Sequence, residues 1–405
     1  MKCRLCSEIL LDSDMCFDEM PYANAYRENK NIVEHKHWLQ LSICPNCKLI
    51  QHNYEANPSE LFTDYAYFSS VSNFWLEHAK KFVDTVLNKF NENQIKVLEI
   101  ASNDGYLLRE FLKLDHKALG IEPAKNIAIE SERNGVKVIP KFFGKDLVNE
   151  IKRDFGMPDL IVANNVMAHA PDINDILSGV RLLMNRESIF TVEFPHAHDM
   201  IIYNEFDTIY HEHFFYFTLH SFQNALEKHD LKVLDVEKLK SHGGSLRIYA
   251  VRNDSVQKVN TLNIADCLDS EIESSSYKIE SLNLMSINAN KIKEETIRFI
   301  NEKHNDGLKI SAIGAAAKGN TFTNFIGKEF INKISDIYDE TKFKKNKYYP
   351  GTNIKIKNPI NLNIDRPDIL IILPWNHKDE IISRYKIIRD WGGKFVTFIP
   401  SIHEY

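Results

Sequence analysis

The feature that most constrains the fold is an alternation of apolar runs and amphipathic stretches between residues 95 and 195. The runs IKVLEI, LGIE, VKVIP, PDLIVANN and SIFTVEFP predict buried strands, and stretches such as DINDILSGVRLLM predict the helices between them. Strands that alternate with helices favour a parallel, doubly wound sheet. The sequence therefore predicts an α/β domain that binds its ligand at the carboxyl ends of the strands.

The turn after the first of these strands differs from a dinucleotide-binding turn. It reads EIASNDG over residues 99–105, with one glycine, and Glu122 ends the next strand about twenty residues later. A carboxylate at that place can accept both hydroxyls of a ribose, and a turn with little phosphate cradle suits a nucleoside such as S-adenosylmethionine. A generic turn that binds no nucleotide is the alternative. The predicted cofactor contacts are Glu99, Ala101, Ser102, Asn103, Gly105, Glu122, Pro123 and, at the end of the fourth strand, Asn164 and Asn165.

The segment IYHEHFFYF, residues 209–217, places ionisable groups in an aromatic run just after the fifth predicted strand. If the segment were an amphipathic strand, Tyr210 and Glu212 would share one face while His211 and His213 shared the other. Histidine beside a carboxylate provides a base whose orientation a neighbour can fix. A pair of hydrogen-bonded structural histidines is the alternative. His169, at the end of the fourth strand, is expected to face the same crevice.

Four of the six cysteines form two C-x-x-C pairs, Cys3 with Cys6 and Cys44 with Cys47. Two such knuckles supply four thiolates for a tetrahedral zinc ion, and a closed set of four leaves no position for substrate. We therefore expect a structural zinc site that stabilises a small N-terminal module. Incidental reduced pairs are the alternative.

The chain after residue 250 predicts a further domain. Residues 262–304 form a long helical pattern, and ISAIG, ISDIYDE, DILIILPWN and KFVTFIP predict buried strands of a second parallel sheet. The small-residue loop at 314–317 precedes Lys318, Asn320 and Thr321, which could donate hydrogen bonds to phosphate at a helix start.

Length and charge limit the remaining possibilities. A chain of 405 residues favours two or three domains, and a formal net charge of −6 without a long basic block argues against nucleic acid and anionic membranes as partners. We find no signal-like or membrane-spanning apolar run, and the sequence therefore predicts a cytoplasmic location.

These motifs together resemble the sugar C-methyltransferases of deoxysugar biosynthesis, which act on nucleotide-linked 4-keto sugars and methylate carbon 3. The resemblance runs from end to end and includes the paired knuckles, YAYFSSVSNFWLEHA, VLEIASNDGYLL, GIEPAKNIA, ANNVMAHAPD, FDTIYHEHFFYFTLHSF, HGGSLRIY, GAAAKGNTFTNF, PGTNIKI and ILPWNHKDEI. It implies a zinc-binding module over residues 1–70, a methyltransferase domain over 71–252, and a helical linker with a Rossmann-like nucleotide-sugar domain over 253–405. It is compatible with a monomer.

The resemblance also implies roles for individual residues. His213 is the expected base, Glu212 and Tyr210 bind or orient the sugar, His169 assists at the keto oxygen, and Tyr67 contacts the substrate. Further expected substrate contacts are His196, His211, Lys318, Asn320, Thr321, Trp375 and Asn376.

Departures from the family pattern leave other functions open. Ala101 stands where glycine is commoner, which matters little if its backbone is in an ordinary region. His196 and His198 follow the proline where the family has an aromatic residue, and DETKFKKNKYYPGT lacks the usual Asn-Pro form. The alternatives are methylation of oxygen or nitrogen in a related cell-surface precursor, and a catalytically silent scaffold.

Overall fold

The structure, a computed structural model, describes residues 1–54, 68–71, 73–90 and 94–405. It contains three β-sheets of four, seven and six strands. None of the helices within these ranges is long and apolar enough to cross a membrane.

The first sheet belongs mainly to the N-terminal module. It contains β1 (Leu11–Pro21), β2 (Lys36–Ile43) and β3 (Ile50–His52), all antiparallel. Its fourth strand, β9 (Phe215–Tyr216), comes from far along the chain and pairs with β3, with Ile50 opposite Tyr216. The module is therefore joined by backbone hydrogen bonds to the segment that holds the predicted base.

The second sheet has the doubly wound arrangement that the sequence predicts. Its strands are β4 (Lys96–Ile100), β5 (Lys117–Ile121), β6 (Val138–Ile139), β7 (Leu160–Asn164), β8 (Ile189–Pro195), β10 (Leu231–Leu239) and β11 (Ser245–Arg252). The order is β10-β11-β8-β7-β4-β5-β6, and all neighbours are parallel except β11, which is antiparallel to both β8 and β10. Because the order reverses between β4 and β7, a crevice opens at the carboxyl ends of these two strands.

Helices cover both faces of this sheet and leave its apolar strands buried. They are α1 (Asn73–Leu87), α2 (Leu108–Leu112), α3 (Lys125–Arg133), α4 (Val148–Asp154), α5 (Ile173–Leu183), α6 (Ala197–Ile202) and α7 (Leu219–Lys228). Short 3₁₀ turns lie at Ser69–Val71, Lys145–Leu147, Met167–His169, Phe206–Thr208 and Ser241–Gly243.

Two long helices lead into the C-terminal domain, as the helical pattern predicts. They are α8 (Thr261–Ser274) and α9 (Ile279–Asn305). The strands after them are β12 (Ile310–Ile313), β13 (Ile337–Tyr338), β14 (Ile356–Lys357), β15 (Ile369–Ile372), β16 (Lys394–Thr397) and β17 (His403–Glu404). The helices are α10 (Ala317–Ile326), α11 (Lys328–Ile331), α12 (Leu362–Asp365) and α13 (Lys378–Arg384), with 3₁₀ turns at Pro359–Asn361, Trp375–His377 and Lys386–Trp391.

The third sheet is also doubly wound. Its order is β14-β13-β12-β15-β16-β17, and only β17 is antiparallel to its neighbour. The order reverses between β12 and β15, so the loop after β12 lies at a second crevice.

The hydrophobic core is shared between the three regions. One apolar cluster joins residues around the cysteine knuckles to the second sheet, and another joins β1 and β2 to α9, α10 and the third sheet. In the second cluster the rings of Phe17 and Phe325 meet edge to face with centroids 5.2 Å apart. This shared packing brings loops from all three regions to the edge of the second sheet.

Candidate active site and zinc site

The four cysteines of the two C-x-x-C pairs come together. The Sγ atoms of Cys3 and Cys47 are 3.5 Å apart, those of Cys6 and Cys44 are 3.4 Å apart, and all four lie within 4.8 Å of one another. Both knuckles close in the same way, because the amide of Ser7 donates to the Cys3 carbonyl and that of Lys48 donates to the Cys44 carbonyl, at 2.9 and 3.0 Å.

This sulfur set fits zinc. A tetrahedral ion with Zn–S bonds of about 2.3 Å holds its sulfurs about 3.8 Å apart, which small movements of these side chains provide. Because all four positions are thiolates, zinc here stabilises the fold and leaves no place for substrate.

The turn after β4 has an unusual backbone. Ala101, Asn103 and Gly105 have φ values of 56°, 50° and 77°, in the left-handed region. A Cβ atom at Gly105 would lie 2.7 Å from side-chain atoms of Ser131 and Val136, so glycine is required there. The substitution of alanine for glycine would matter little only with an ordinary backbone, and this condition is not met: Ala101 bears the strain that glycine would avoid.

Three carboxyl groups are buried around this turn. Glu122 accepts the amide hydrogens of Asn103 and Ala124, at 3.0 and 2.9 Å. Burial raises the pKa of Glu122, although these two hydrogen bonds oppose the change. Burial also raises the pKa of Glu99 well above its usual value, and the nearby Glu122 and Asp104 carboxylates add to the effect.

Several oxygens around the turn lack partners within the part of the chain that the structure describes. They are Oε2 of Glu99, Oγ of Ser102, Oδ1 of Asp104, and Oδ1 of Asn164 and Asn165. Because unpaired buried oxygens are costly, this edge is complementary to a ligand rich in hydroxyl and ammonium donors. The residues present therefore fit the ribose and amino group of S-adenosylmethionine, with Pro123 between Glu122 and α3.

Residues 210–213 form a turn, and residues 209–214 do not form the strand that alternation suggested. The amide of His213 donates to the Tyr210 carbonyl at 2.9 Å, and only Phe215 and Tyr216 pair as a strand. The strand hypothesis, which placed Tyr210 and His213 on opposite faces, is therefore wrong. The tyrosine Oη is 2.9 Å from Nε2 of His213, and the two ring centroids are 4.0 Å apart.

The hydrogen bonds of His213 define its neutral tautomer. Its Nδ1 is 2.9 Å from the Thr208 carbonyl, which only accepts, so Nδ1 carries the proton and Nε2 accepts from the Tyr210 hydroxyl. Burial lowers the pKa of His213 well below its usual value, and the neighbouring His169 lowers it further. The imidazole is therefore neutral near pH 7.

His169 lies beside this pair. Its Nδ1 donates to the Glu212 carbonyl at 2.8 Å, and its ring centroid is 4.7 Å from that of His213. Burial lowers the pKa of His169 to about 4, so this histidine is also neutral.

The Glu212 carboxyl is held from the N-terminal module. Nδ2 of Asn24 is 2.9 and 2.8 Å from its two oxygens, and burial raises the pKa of Glu212 to about 7. Sequence reasoning missed Asn24, because an asparagine in the loop PYANAY carries no signal that separates it from other loop residues.

Glu193 at the end of β8 is another buried group that the sequence did not indicate. Its Oε2 accepts from His78 of α1 at 2.9 Å and from Arg247 of β11 at 2.8 Å. Burial raises its pKa, but these partners outweigh burial and bring it to about 2. This charged network holds α1 against the edge of the sheet.

The predicted phosphate donors of the C-terminal domain contact protein groups. Asn320 donates to the Pro350 carbonyl at 2.8 Å, and Thr321 donates to the Ile209 carbonyl at 2.9 Å. Lys318 donates to the His242 carbonyl at 2.7 Å and lies over the ring of Trp375, 5.1 Å from its centroid.

The other predicted substrate contacts are dispersed. His196 bonds Glu271 of α8 at 2.8 Å, and His211 bonds the His37 carbonyl of β2 at 3.0 Å. Asn376 is half-buried beside Trp375, whose Nε1 donates to Asp207 at 2.9 Å. Tyr67 lies outside the described residues.

Family models match three consecutive parts of the chain. Three family models match, described as a zinc binding domain over residues 3–62, a methyltransferase domain over 75–236, and a C-methyltransferase C-terminal domain over 240–400. The C-methyltransferase NovU of Streptomyces niveus is 30% identical over 364 residues, which are 90% of this chain and 86% of that protein.

Solved structures overlap with about half of the chain. Magnesium protoporphyrin IX methyltransferase from Synechocystis, with bound S-adenosylmethionine, covers 49% of this chain and 99% of its own at 12% identity and a TM-score of 0.37. The 1,6-didemethyltoxoflavin-N1-methyltransferase of Burkholderia thailandensis covers 52% and 98% at 15% identity and a TM-score of 0.36. The assignment rests on the sequence matches and not on these two structures.

The extent of the match to NovU and the three consecutive domain matches lead to one conclusion. The chain belongs to the family of S-adenosylmethionine-dependent C-methyltransferases that carry an N-terminal zinc-binding domain and a dedicated C-terminal domain.

Proposed function

We propose that this enzyme methylates carbon 3 of a nucleotide-linked 4-keto sugar through an enolate. The observation that carries the proposal is the neutral Tyr210–His213 pair beside Glu212, at the same sheet edge as the acidic turn. A base and a cation-binding turn at one edge suit a reaction in which a carbon acid loses a proton and gains a methyl group.

The acidic turn would hold the methyl donor. Glu122 is placed to accept the two ribose hydroxyls, and Glu99 lies where a carboxylate favours the positive charges of the donor. S-adenosylmethionine supplies an electrophilic methyl group when bound. Around it we assign supporting contacts to Ala101, Ser102, Asn103, Gly105, Pro123, Asn164 and Asn165.

His213 would take the proton. A 4-keto group acidifies the hydrogen on carbon 3, and Nε2 of the neutral imidazole is the atom able to accept it. The electrons of the C–H bond would then form the enolate, whose carbon would bond to the methyl group and displace a neutral thioether.

The hydrogen bond between Tyr210 and His213 allows two routes for the proton. Its hydroxyl occupies Nε2 of His213 in the structure, so the substrate either displaces the hydroxyl or passes its proton through it. On the second route the phenolic oxygen takes the proton from carbon 3 while Nε2 takes the phenolic proton.

Glu212 and His169 would bind the sugar. The Glu212 carboxyl is fixed by Asn24 and can accept sugar hydroxyls. His169 carries its proton on Nδ1, so its Nε2 can accept a sugar hydroxyl but cannot donate to the keto oxygen, the role that the resemblance implied. Tyr67 remains a predicted substrate contact, as do His196, His211, Lys318, Asn320 and Asn376.

Solvent exchange is the decisive experiment. The enzyme is incubated in D₂O with a panel of nucleotide-linked 4-keto sugars, first without the methyl donor and then with labelled donor, and NMR locates deuterium and label. Exchange at carbon 3 and a new C–C bond there are expected. Label on oxygen or nitrogen without exchange would instead establish the alternative transfer, and no transfer to any sugar would indicate a scaffold.

Variants separate the proposed roles. We expect His213→Ala to abolish exchange and transfer while donor affinity stays within about threefold, because its proposed role is toward the sugar and not toward the donor. Tyr210→Phe abolishes exchange on the relay route and retains it on the displacement route. His304→Ala, on the exposed face of α9, is the matched control. Full exchange by His213→Ala would remove His213 from the base role.

A further inference from the structure

The carbonyl that fixes the tautomer of His213 belongs to a short loop. Residues 205–210, here called the base-support loop, include the 3₁₀ turn Phe206–Thr208. Within the described residues, the side chain of Thr208 does not hold this loop, because its Oγ1 has no hydrogen-bond partner. The position of the Thr208 carbonyl therefore depends on contacts made by its neighbours.

Both neighbours of Thr208 are held by the C-terminal domain. Before it, Asp207 accepts the indole hydrogen of Trp375 at 2.9 Å. After it, the Ile209 carbonyl accepts the hydroxyl hydrogen of Thr321 at 2.9 Å. Asp207 and Ile209 are fully buried, and Thr321 is 2% exposed.

Lys318 adds a third connection between the C-terminal domain and the base-support loop. Its Nζ donates to the His242 carbonyl at 2.7 Å, lies 3.7 Å from Oε2 of Glu205, and stacks over the ring of Trp375. The ammonium group of Lys318 thus lies near Glu205, the first residue of the base-support loop, and over the indole of Trp375, which holds Asp207.

We propose that Trp375 and Thr321 are positioning residues, through which the C-terminal domain orients the Thr208 carbonyl and thereby keeps Nε2 of His213 as the accepting atom. The inference rests on the proposed role of His213 as the base. These two side chains are assigned to the loop and not to the nucleotide, because their hydrogen-bond donors already bond to protein acceptors and are not free for a phosphate.

The physical reason is the pairing of a tautomer with an acceptor. A neutral imidazole carries its proton on only one of its two nitrogens. A carbonyl 2.9 Å from Nδ1 keeps the proton on Nδ1. If the loop moves, Nδ1 loses its acceptor, and the proton can shift to Nε2, which then cannot accept a proton from the sugar. A buried hydrogen bond at each neighbour of Thr208 prevents this movement.

The test compares paired substitutions in the full-length enzyme. Trp375→Phe and Thr321→Val each remove one hydrogen bond that the C-terminal domain donates to the base-support loop. Trp391→Phe removes an equivalent indole bond of 3.0 Å to the Pro367 carbonyl, and Thr352→Val removes an equivalent hydroxyl bond of 2.9 Å to the Tyr349 carbonyl. Both controls lie within the C-terminal domain and do not contact the loop.

We expect Trp375→Phe to lower kcat by about 10- to 100-fold and Thr321→Val by about tenfold, with sugar KM within about twofold. The controls should leave both constants within about twofold. A rise in sugar KM with unchanged kcat would overturn the inference and return Trp375 and Thr321 to direct substrate binding.

A second readout does not depend on catalysis. In protein labelled with ¹⁵N-histidine, the nitrogen shifts of His213 report its tautomer, and Trp375→Phe is expected to increase the Nε2-protonated form. Asp207→Asn, which keeps an oxygen for the indole, should preserve the native tautomer and most of kcat, whereas Asp207→Leu should not. An unchanged tautomer in both Trp375→Phe and Asp207→Leu would refute the positioning role.

The two readouts distinguish the two proposals. If the unmutated enzyme exchanges no proton at carbon 3, the proposed function fails, yet the tautomer measurement still tests the loop contacts. If exchange occurs and the tautomer is insensitive to both variants, only the positioning inference fails.

Discussion

Glu122 and Asp339 occupy the same position in the two doubly wound sheets. Glu122 follows β5 and accepts amide hydrogens from the turn after β4 and from Ala124. Asp339 follows β13 and accepts amide hydrogens from Ala315, in the loop after β12, and from Thr341, at 2.8 Å each. The backbone geometry around the two carboxylates is therefore alike.

Their charge environments are opposite. Burial raises the pKa of Asp339, but Lys344, 3.3 Å away, outweighs burial and brings the pKa below its usual value. Burial raises the pKa of Glu122 above its usual value, and the nearby Asp104 carboxylate adds to the effect. One fold therefore supplies two kinds of site: the loop after β12 is neutralised by its own lysine, whereas no such cation among the described residues shifts the pKa of Glu99 or Glu122.

The largest expected effect is on the affinity for the cofactor, which should depend on Glu122 and not on Asp339. Glu122→Ala should weaken S-adenosylmethionine binding by about 100-fold, because the two proposed charge-assisted hydrogen bonds to ribose would be lost. Asp339→Ala should change this affinity by less than about twofold. Isothermal titration calorimetry on folded variants measures both, and equal losses would contradict the comparison.

The second prediction concerns the internal cation. Lys344→Met leaves Asp339 buried without its counter-charge and should lower the free energy of unfolding by about 2 kcal/mol. The figure allows for the lysine side chain being 18% exposed. Adding Asp339→Asn should recover part of the loss in denaturant unfolding, and cofactor affinity should be unchanged. Full additivity of the two substitutions would show that the pair does not interact.

The third prediction uses pH to test the acidic turn. Since the pKa values of Glu99 and Glu122 are raised, lowering the pH protonates these carboxyls and removes the charge that favours a sulfonium. The preference for S-adenosylmethionine over neutral S-adenosylhomocysteine should therefore fall by up to about tenfold as the pH is lowered. Glu99→Gln should flatten this dependence. A preference that rises on acidification would contradict the assignment.

The smallest expected effect is on the stability of the cofactor-free enzyme. A carboxyl with a raised pKa in the folded state stabilises the fold while protonated, and this contribution is lost as pH rises through the raised value. Glu99→Gln should therefore increase stability at about pH 8 by about 1 kcal/mol or more, and less at about pH 5. Thermal unfolding of this variant and of the exposed control Glu302→Gln provides the measurement. An equal gain at both values of pH would contradict the buried charge.

The sequence predicted the elements whose signals are local. Apolar runs located β4, β5, β7, β8, β12 and β15 to within a few residues, and the C-x-x-C spacing identified the four cysteines that converge. These elements can be recognised in the sequence because a strand or a C-x-x-C knuckle depends on residues close together in the chain.

Contacts distant in sequence were not predictable in this way. Asn24 and Glu212 are 188 positions apart, and Thr321 and Ile209 are 112 apart. Alternation in IYHEHFFYF suggested a strand, but the hydrogen bond that Nδ1 of His213 donates to the Thr208 carbonyl and the turn at Tyr210 favour another conformation. Tertiary contacts outweighed a weak local preference there.

The sequence by itself determined the order of the three domains, the cysteine set and the residue types at the strand ends, because periodicity and spacing are written in short windows. The tertiary structure alone decided which carboxylate has a counter-charge, which nitrogen of His213 accepts, and which donors the protein itself uses. Burial and long-range hydrogen bonding set these properties, and neither is a function of neighbouring residues in the chain.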